Sequence, residues 1–310
     1  AGIKKSAVDG LVPAFSLVEH TFMHCTPFAD YFGLGPRFFS SVAVGGATAV
    51  WMAAEAAMAI ASGQAEVVLC VRGDNTLSGI SSSGMVALIR EMCHAEFEFP
   101  YGLTTPGGYA LAAQRYLHDF GVAAFEDDVD HISDGGAAFI VTTEAKAKEL
   151  GIQNPLAYLW GMGQGYSHQY LTSLKDLDQI YNAVNASGQK AFQTAGLTPK
   201  DVDVAFLYDC FTITVLLELE GLGFVPKGEG GAFALEGRME IGKDLPVNTH
   251  GGLLSQAHLG AMHHVVEAVL QLRKQAGPRQ VKDADVALVH GNGGIVSAHS
   301  TILLGKEALS

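Results

Sequence analysis

Between Ala47 and Ala61 the only polar side chains are Thr48 and Glu55, so a helix over this stretch is apolar on every side. Such a helix is stable only where it is buried all round. One sheet flanked by helices leaves a side of each helix wet. The pattern therefore asks for a helix held between two sheets, with further helices outside: an α/β fold of five layers, αβαβα. Gly45 and Gly46 open this helix, and the strand-like run Val67-Val68-Leu69-Cys70-Val71 follows it.

The order then returns. Gly251 and Gly252 open a second apolar helix, expected to run unbroken to about residue 275 and to be followed by a strand at 285–289. Residues 1–14 (AGIKKSAVDGLVPA) and 195–208 (AGLTPKDVDVAFLY) each read as a helix end, a polar turn, an Asp and an apolar strand. A third pair is the strands expected at 137–142 and 301–304. Before the second copy come a strand near 155–160 and an amphipathic helix over about 174–194, for which the first copy has no counterpart. Internal repetition of this kind divides the chain into two related halves, 1–150 and 151–310. The first is expected to lack its opening strand and helix and to carry a shortened loop region near 122–132.

Composition narrows the function. With 48 % hydrophobic and 16 % charged residues in 310, the chain is too apolar for disorder. A net charge of −13 without a Lys/Arg run speaks against binding nucleic acid or an anionic membrane through charge. No uninterrupted apolar run reaches the ~18 residues of a membrane span. The four cysteines show no metal-ligand spacing, so a reducing, cytoplasmic setting is expected, with no disulfide framework and no metal site.

Four segments carry a family resemblance: Tyr208-Asp209-Cys210-Phe211-Thr212, Asn248-Thr249-His250-Gly251-Gly252-Leu253-Leu254-Ser255, Ala257-His258-Leu259-Gly260 and Gly291-Asn292-Gly293-Gly294. Pro100-Tyr101-Gly102 with Pro106 and Tyr109 adds to them. In this order they resemble the thiolase superfamily, closest to the sterol carrier protein type thiolases and their aldolase-like relatives. The resemblance implies a duplicated thiolase fold and a coenzyme A thioester as substrate, with no bound cofactor. It also implies a homodimer core and a small partner protein joining a zinc ribbon to an OB-fold.

The departures direct the chemistry. Ala43 stands where a thiolase has its nucleophilic cysteine, and Val289 and His290 stand where the second cysteine is expected. A methyl group cannot form an acyl-enzyme. Retro-aldol cleavage of a β-hydroxyacyl thioester needs only a base, an acid and donors for the enolate. The alternatives are a retro-Claisen acyltransferase that requires free coenzyme A and uses another thiol (Cys25, Cys93 or Cys210), and a non-catalytic scaffold.

The residues expected at the site follow from this reading. His258, placed about two turns into the second helix, matches the family's histidine; an imidazole can accept at one nitrogen and donate from the other. His290, at the end of its strand, is expected beside it, and Tyr208 as proton donor. His250, Gly251 and Gly252 at a helix start suit a polarised carbonyl or anion. Gly293 and Gly294 offer close backbone approach, and Asp209 anchors the loop or orients a histidine. His263 and His264 read as helix packing or surface.

Overall fold

The computed structural model describes residues 2–19, 21–122 and 128–309. Residues 123–127, within the loop region expected to be short, lie outside the described residues, as does Ala1. In chain order come β1 (Gly10–Pro13), α1 (Cys25–Phe32), β2 (Phe38–Phe39), α2 (Thr48–Ala61), β3 (Val67–Asn75), α3 (Thr76–Gly79), α4 (Ser82–Met92), α5 (Thr105–Phe120), β4 (Asp134–Thr142) and α6 (Glu144–Glu149). Then follow β5 (Tyr158–Tyr166), α7 (Leu177–Ala195), β6 (Val204–Phe206), α8 (Thr212–Gly221), α9 (Gly230–Leu235), α10 (Gly252–Ser255), α11 (Met262–Leu272), β7 (Val286–Gly293) and β8 (Ala298–Gly305).

Two four-stranded mixed sheets result, in the orders β2-β1-β3-β4 and β5-β8-β7-β6. In the first, β1 lies parallel to β2 and β3 while β4 returns antiparallel to β3. In the second, β6 and β7 are parallel and β8 runs antiparallel to both β7 and β5. The triplet β1-β3-β4 thus has the directions of β6-β7-β8. Even the place of β2 is marked in the second sheet, by the parallel bridge between Ala205 and Val247. The strand expected near 155–160 starts later and runs to Tyr166.

α2 and α11 form the middle layer, each packed against strands of both sheets. In α2, Met52, Ala53, Ala54 and Ala56 are buried, and the helix is exposed to solvent only at Met58 and its last residue, Ala61. Its apolar surface is therefore satisfied from both sides, as the sequence demands. Outside the second sheet α7 lies on β5 and β8. Gly161, Gly163 and Gly165 alternate along β5, and a Cβ at any of them would collide with the carbonyl of Ala191, Ser187 or Ala183, one helical turn apart on α7. Strand and helix meet backbone to backbone.

One expectation is corrected here. The second glycine-opened helix is not continuous: α10 ends at Ser255, α11 begins at Met262, and His258 sits in the break rather than two turns into a helix. Gly260 (φ 57°) and Ala261 (φ 64°) are left-handed, a conformation in which an α-helix cannot continue.

Behind β7 and β8 a buried polar chain ties the second sheet to α7. His299 Nε2 donates to the Val296 carbonyl at 3.0 Å, so its Nδ1 accepts from His290 Nε2 at 3.2 Å. His290 Nδ1 then accepts from the Thr301 hydroxyl at 2.8 Å, and Ser187 of α7 lies 2.9 Å from that hydroxyl. Burial pushes both imidazoles down, His299 to about 4. Their folded pKa values lie below the unfolded value of roughly 6.5, so the unfolded chain takes up protons first. The stability they contribute is complete above that value and is lost as pH falls through about 4. Melting temperatures measured between neutral pH and about pH 4 should therefore fall more steeply for the native chain than for His299→Gln. Parallel slopes would place the acid sensitivity elsewhere.

Candidate active site

The site is built where the loop after β6 meets the first turn of α2. Asn248, itself left-handed (φ 48°), clips this loop by donating to the Leu207 carbonyl at 2.8 Å and accepting from the Leu207 N–H at 2.9 Å. Asp209 then accepts from the Leu253 N–H at 2.8 Å and sits against the start of α10. A Cβ on Gly252 (φ 62°) would collide with that carboxylate, which is the physical reason for glycine there. Burial alone would raise the Asp209 pKa, but His264 and the Leu253 N–H hold it below the usual carboxylate range. Of the residues expected to bind substrate, Asp209 and Gly252 pack against each other here, and the Gly251 N–H donates to the Asn248 carbonyl at 2.8 Å.

His258 hangs from the helix break with its Nδ1 paired to the Asp130 carboxylate. Its backbone N–H donates to Ser133 Oγ at 3.2 Å. The segment carrying Asp130 is sewn to the Tyr208 loop: Val129 bridges Phe211, Asp130 N–H donates to Cys210 O at 3.1 Å, and Thr212 N–H donates to Asp128 O at 3.1 Å. The Asp130 and His258 side chains are 10 % and 25 % exposed. A carboxylate on Nδ1 fixes the proton there and leaves Nε2 with a free lone pair. Sequence reasoning missed Asp130, because the run Asp127-Asp128-Val129-Asp130 holds three equivalent acids with no spacing to select one.

Tyr208 completes the cluster. Its ring meets that of His258 edge-on, with centroids 6.3 Å apart. A Cβ at Gly46 would collide with the Tyr208 hydroxyl and ring, so the phenol occupies the space that a side chain at the mouth of α2 would fill. Burial, and then the neighbouring Cys210, push the phenol well above its ordinary pKa, while Arg72 opposes them. Arg72, on β3 and buried, lies over the Phe15 ring at 5.6 Å. Its guanidinium fills the space a side chain on Gly260 would need, which adds a second reason for the break between α10 and α11.

At position 43 the chain carries an exposed alanine just ahead of α2, whose Thr48 hydroxyl accepts from the Val44 N–H at 3.0 Å. All four thiols are buried. Burial raises the pKa of Cys25, Cys70, Cys93 and Cys210, the last well above the ordinary value. None is a thiolate at neutral pH.

The glycine-rich end of β7 is corrected in the same way as Gly252. Gly293 would drive a Cβ into the Val44 carbonyl, and a Cβ on Gly45 would come within 2.7 Å of Gly293 Cα. Gly293 and Gly294 therefore press against the chain entering α2. His290 points to the opposite face of β7, fully buried, with both nitrogens engaged by Thr301 and His299. It has no nitrogen left for a further partner; His258 instead lies beside Asp130 and Tyr208. His250 is placed behind Asp209, beside His263 and His264, which are buried and not surface residues. A cavity of about 710 Å³ lies elsewhere, between α2, β4 and α11, lined by Ala57, Ile140 and Val269 among others.

Known proteins share these features. Residues 163–306 match the family model described as thiolase C-terminal domain-like. A steroid side-chain-cleaving aldolase of Thermomonospora curvata is 33 % identical over 99 % of this chain and 90 % of its own length. The 17-hydroxy-3-oxo-4-pregnene-20-carboxyl-CoA lyase of Mycobacterium tuberculosis is 32 % identical over 88 % of this chain and 83 % of its own. Among solved structures, an Ltp2-ChsH2(DUF35) aldolase superposes with a TM-score of 0.83 at 31 % identity, covering 98 % of this chain and 88 % of that one. A monomeric SCP2-thiolase like protein from Mycobacterium smegmatis shares the fold, with a TM-score of 0.61 at 21 % identity over 99 % of this chain and 71 % of its own. The chain belongs to the thiolase superfamily, in the branch of the sterol carrier protein type thiolases and thiolase-like aldolases.

Proposed function

We propose that this enzyme cleaves, or in reverse forms, a carbon–carbon bond in an acyl-CoA thioester by retro-aldol chemistry. One observation carries the reading: at the mouth of α2 an imidazole backed by a carboxylate and a protonated phenol converge, while the thiols are buried and protonated. His258 Nε2 takes the proton of the substrate β-hydroxyl. The O–H electrons close the new carbonyl as the Cα–Cβ bond breaks, and the released pair moves onto the α-carbon and the thioester oxygen. Tyr208 donates its proton to this enolate, with Arg72 supplying positive charge nearby. Protonated His258 then returns its proton to the Tyr208 phenolate through solvent, so the net result moves one proton from the β-hydroxyl to the α-carbon, giving a ketone or aldehyde and a shorter acyl-CoA. Asp130 positions His258, and His290 positions the β7 end without touching substrate.

The names of two relatives, a steroid side-chain-cleaving aldolase and a pregnene-carboxyl-CoA lyase, support a β-hydroxyacyl thioester on a steroid side chain as the first substrate to try. The same reading takes 1–150 and 151–310 as the halves of the duplicated fold, supported by the matching strand directions of the two sheets. A homodimer through the β2 edge is supported by the exposed Tyr31, Phe32 and Phe39. The Ltp2-ChsH2(DUF35) likeness supports a second, small partner chain of zinc-ribbon and OB-fold type. A cytoplasmic setting fits coenzyme A chemistry, and no helix of the described residues is long and apolar enough to cross a membrane. A second reading, acyltransferase, is favoured by the acetyl-CoA acetyltransferase of Methanothermobacter thermautotrophicus, 30 % identical over 87 % of this chain.

Mass spectrometry on a β-hydroxyacyl-CoA panel separates the two. The aldolase reading expects ketone and shortened acyl-CoA with no free coenzyme A added; a strict need for free coenzyme A would establish the acyltransferase. Tyr208→Phe should lower kcat by about 100-fold or more, the usual worth of a positioned acid. Because the phenol stays protonated beyond its ordinary range of about 10, kcat should hold through pH ~9 and fall only on further alkalinisation. An alkaline limb centred near neutrality would remove Tyr208 from the acid role.

A further inference from the structure

Three imidazoles meet behind the Tyr208 loop. His250 lies in the turn before α10, and His263 and His264 lie in the first turn of α11. Their ring centroids are 4.8 Å (His250–His263), 4.9 Å (His250–His264) and 4.6 Å (His263–His264) apart, each pair crossing edge to face. One ring nitrogen from each lies within 4.8 Å of the others. His263 is 5 % exposed and His264 fully buried.

The hydrogen bonds around them are incomplete. His264 Nε2 donates to the Leu207 carbonyl at 2.9 Å, which leaves Nδ1 as a bare lone pair. Among the described residues that Nδ1 has no hydrogen-bond partner, nor has either nitrogen of His250, while His263 is met on one side by the Gly252 backbone and has its other nitrogen unmet. Buried polar atoms in folded proteins are almost always met by a partner, so an unmet nitrogen on each of three imidazoles in one place calls for a bound species. Neutral imidazoles converging with free lone pairs suit a cation, and nitrogen ligands of this softness select late divalent transition metals over calcium or magnesium. The surrounding charge is mixed, with Asp209 on the favourable side and Arg279, which acts on His250 as a positive charge, balanced by Glu267. Asp209 lies 3.3 Å from His264, and the buried Glu267, held by Arg279 at 2.9 Å, lies one turn along α11.

We propose that His250, His263 and His264 form a binding site for a divalent transition-metal ion of the zinc type, which braces the α10–α11 break against the Tyr208 loop. Metal–nitrogen distances of 2.0–2.1 Å around a tetrahedral ion bring the ligand nitrogens to roughly 3.3 Å from one another. The rings must therefore close in, and half-buried His250 has the freedom to do so. Three protein ligands leave a position for water. The ion sits behind Tyr208, whose ring is 6.4 Å from that of His264, so its part is structural and the retro-aldol steps do not pass through it.

The test uses the untagged full chain, stripped with a chelator and titrated with Zn2+ by calorimetry and with Co2+ by visible absorption. The site predicts one ion per chain, a tetrahedral Co2+ spectrum, and a melting temperature that rises when Zn2+ is restored. His250→Gln should weaken binding by tenfold or more, on the order of what even an outer-shell loss costs. His118→Gln, on the exposed end of α5, should leave it unchanged. Should His263→Gln fail to fold, the native melting shift and His250→Gln still decide the matter. Absence of stoichiometric binding to the folded, stripped chain, or undiminished binding by His250→Gln, overturns the assignment.

Discussion

The structure turns on a close approach of two backbones. The end of β7 lies against the chain that enters α2, and neither Gly45 nor Gly293 has room for a methyl group. At the next position the space left by Gly46 is taken by the phenol of Tyr208 from the second sheet's loop. With side chains removed from one surface, a single reactive group from the other can sit at the helix mouth. The glycine motifs shape this junction. That is why they recur in the chain's two glycine-opened helices while the reactive groups lie in neighbouring loops.

Electrostatics then distinguishes the chemistry. A covalent route would need a thiolate, and burial keeps every cysteine protonated. Burial also keeps Tyr208 protonated, which suits it to give a proton. His258 is the more exposed partner of its pair with Asp130, and that pairing leaves its outer nitrogen free of the carboxylate. Arg72 brings a cation into the same space from the first sheet, so the phenol, the imidazole and the guanidinium come from three separate stretches of chain.

Much of the fold was legible in the sequence because it follows from local patterns. The all-apolar α2 required two sheets, and the repeated turn-Asp-strand motif located β1 and β6. The site was legible only in part. Tyr208 and His258 were visible through their motifs, but the helix break that presents His258 depends on left-handed Gly260 and Ala261 and on the Arg72 guanidinium, a tertiary contact without a local signal. Asp130 was hidden among neighbouring acids until a bridge to Phe211 selected it. His290 misled because strand position predicts nearness to the site but not the face: alternation along β7 turns it toward α7 and Thr301.

The central claim is that bond cleavage at this helix mouth proceeds through an enolate and never through an acyl-enzyme. Turnover of a β-hydroxyacyl-CoA in deuterium oxide, quenched in acid and read by mass spectrometry of both protein and product, addresses it directly. The account predicts unmodified protein and one deuterium on the α-carbon of the shortened acyl-CoA. An acyl mass on any cysteine peptide, or product without deuterium, would contradict it.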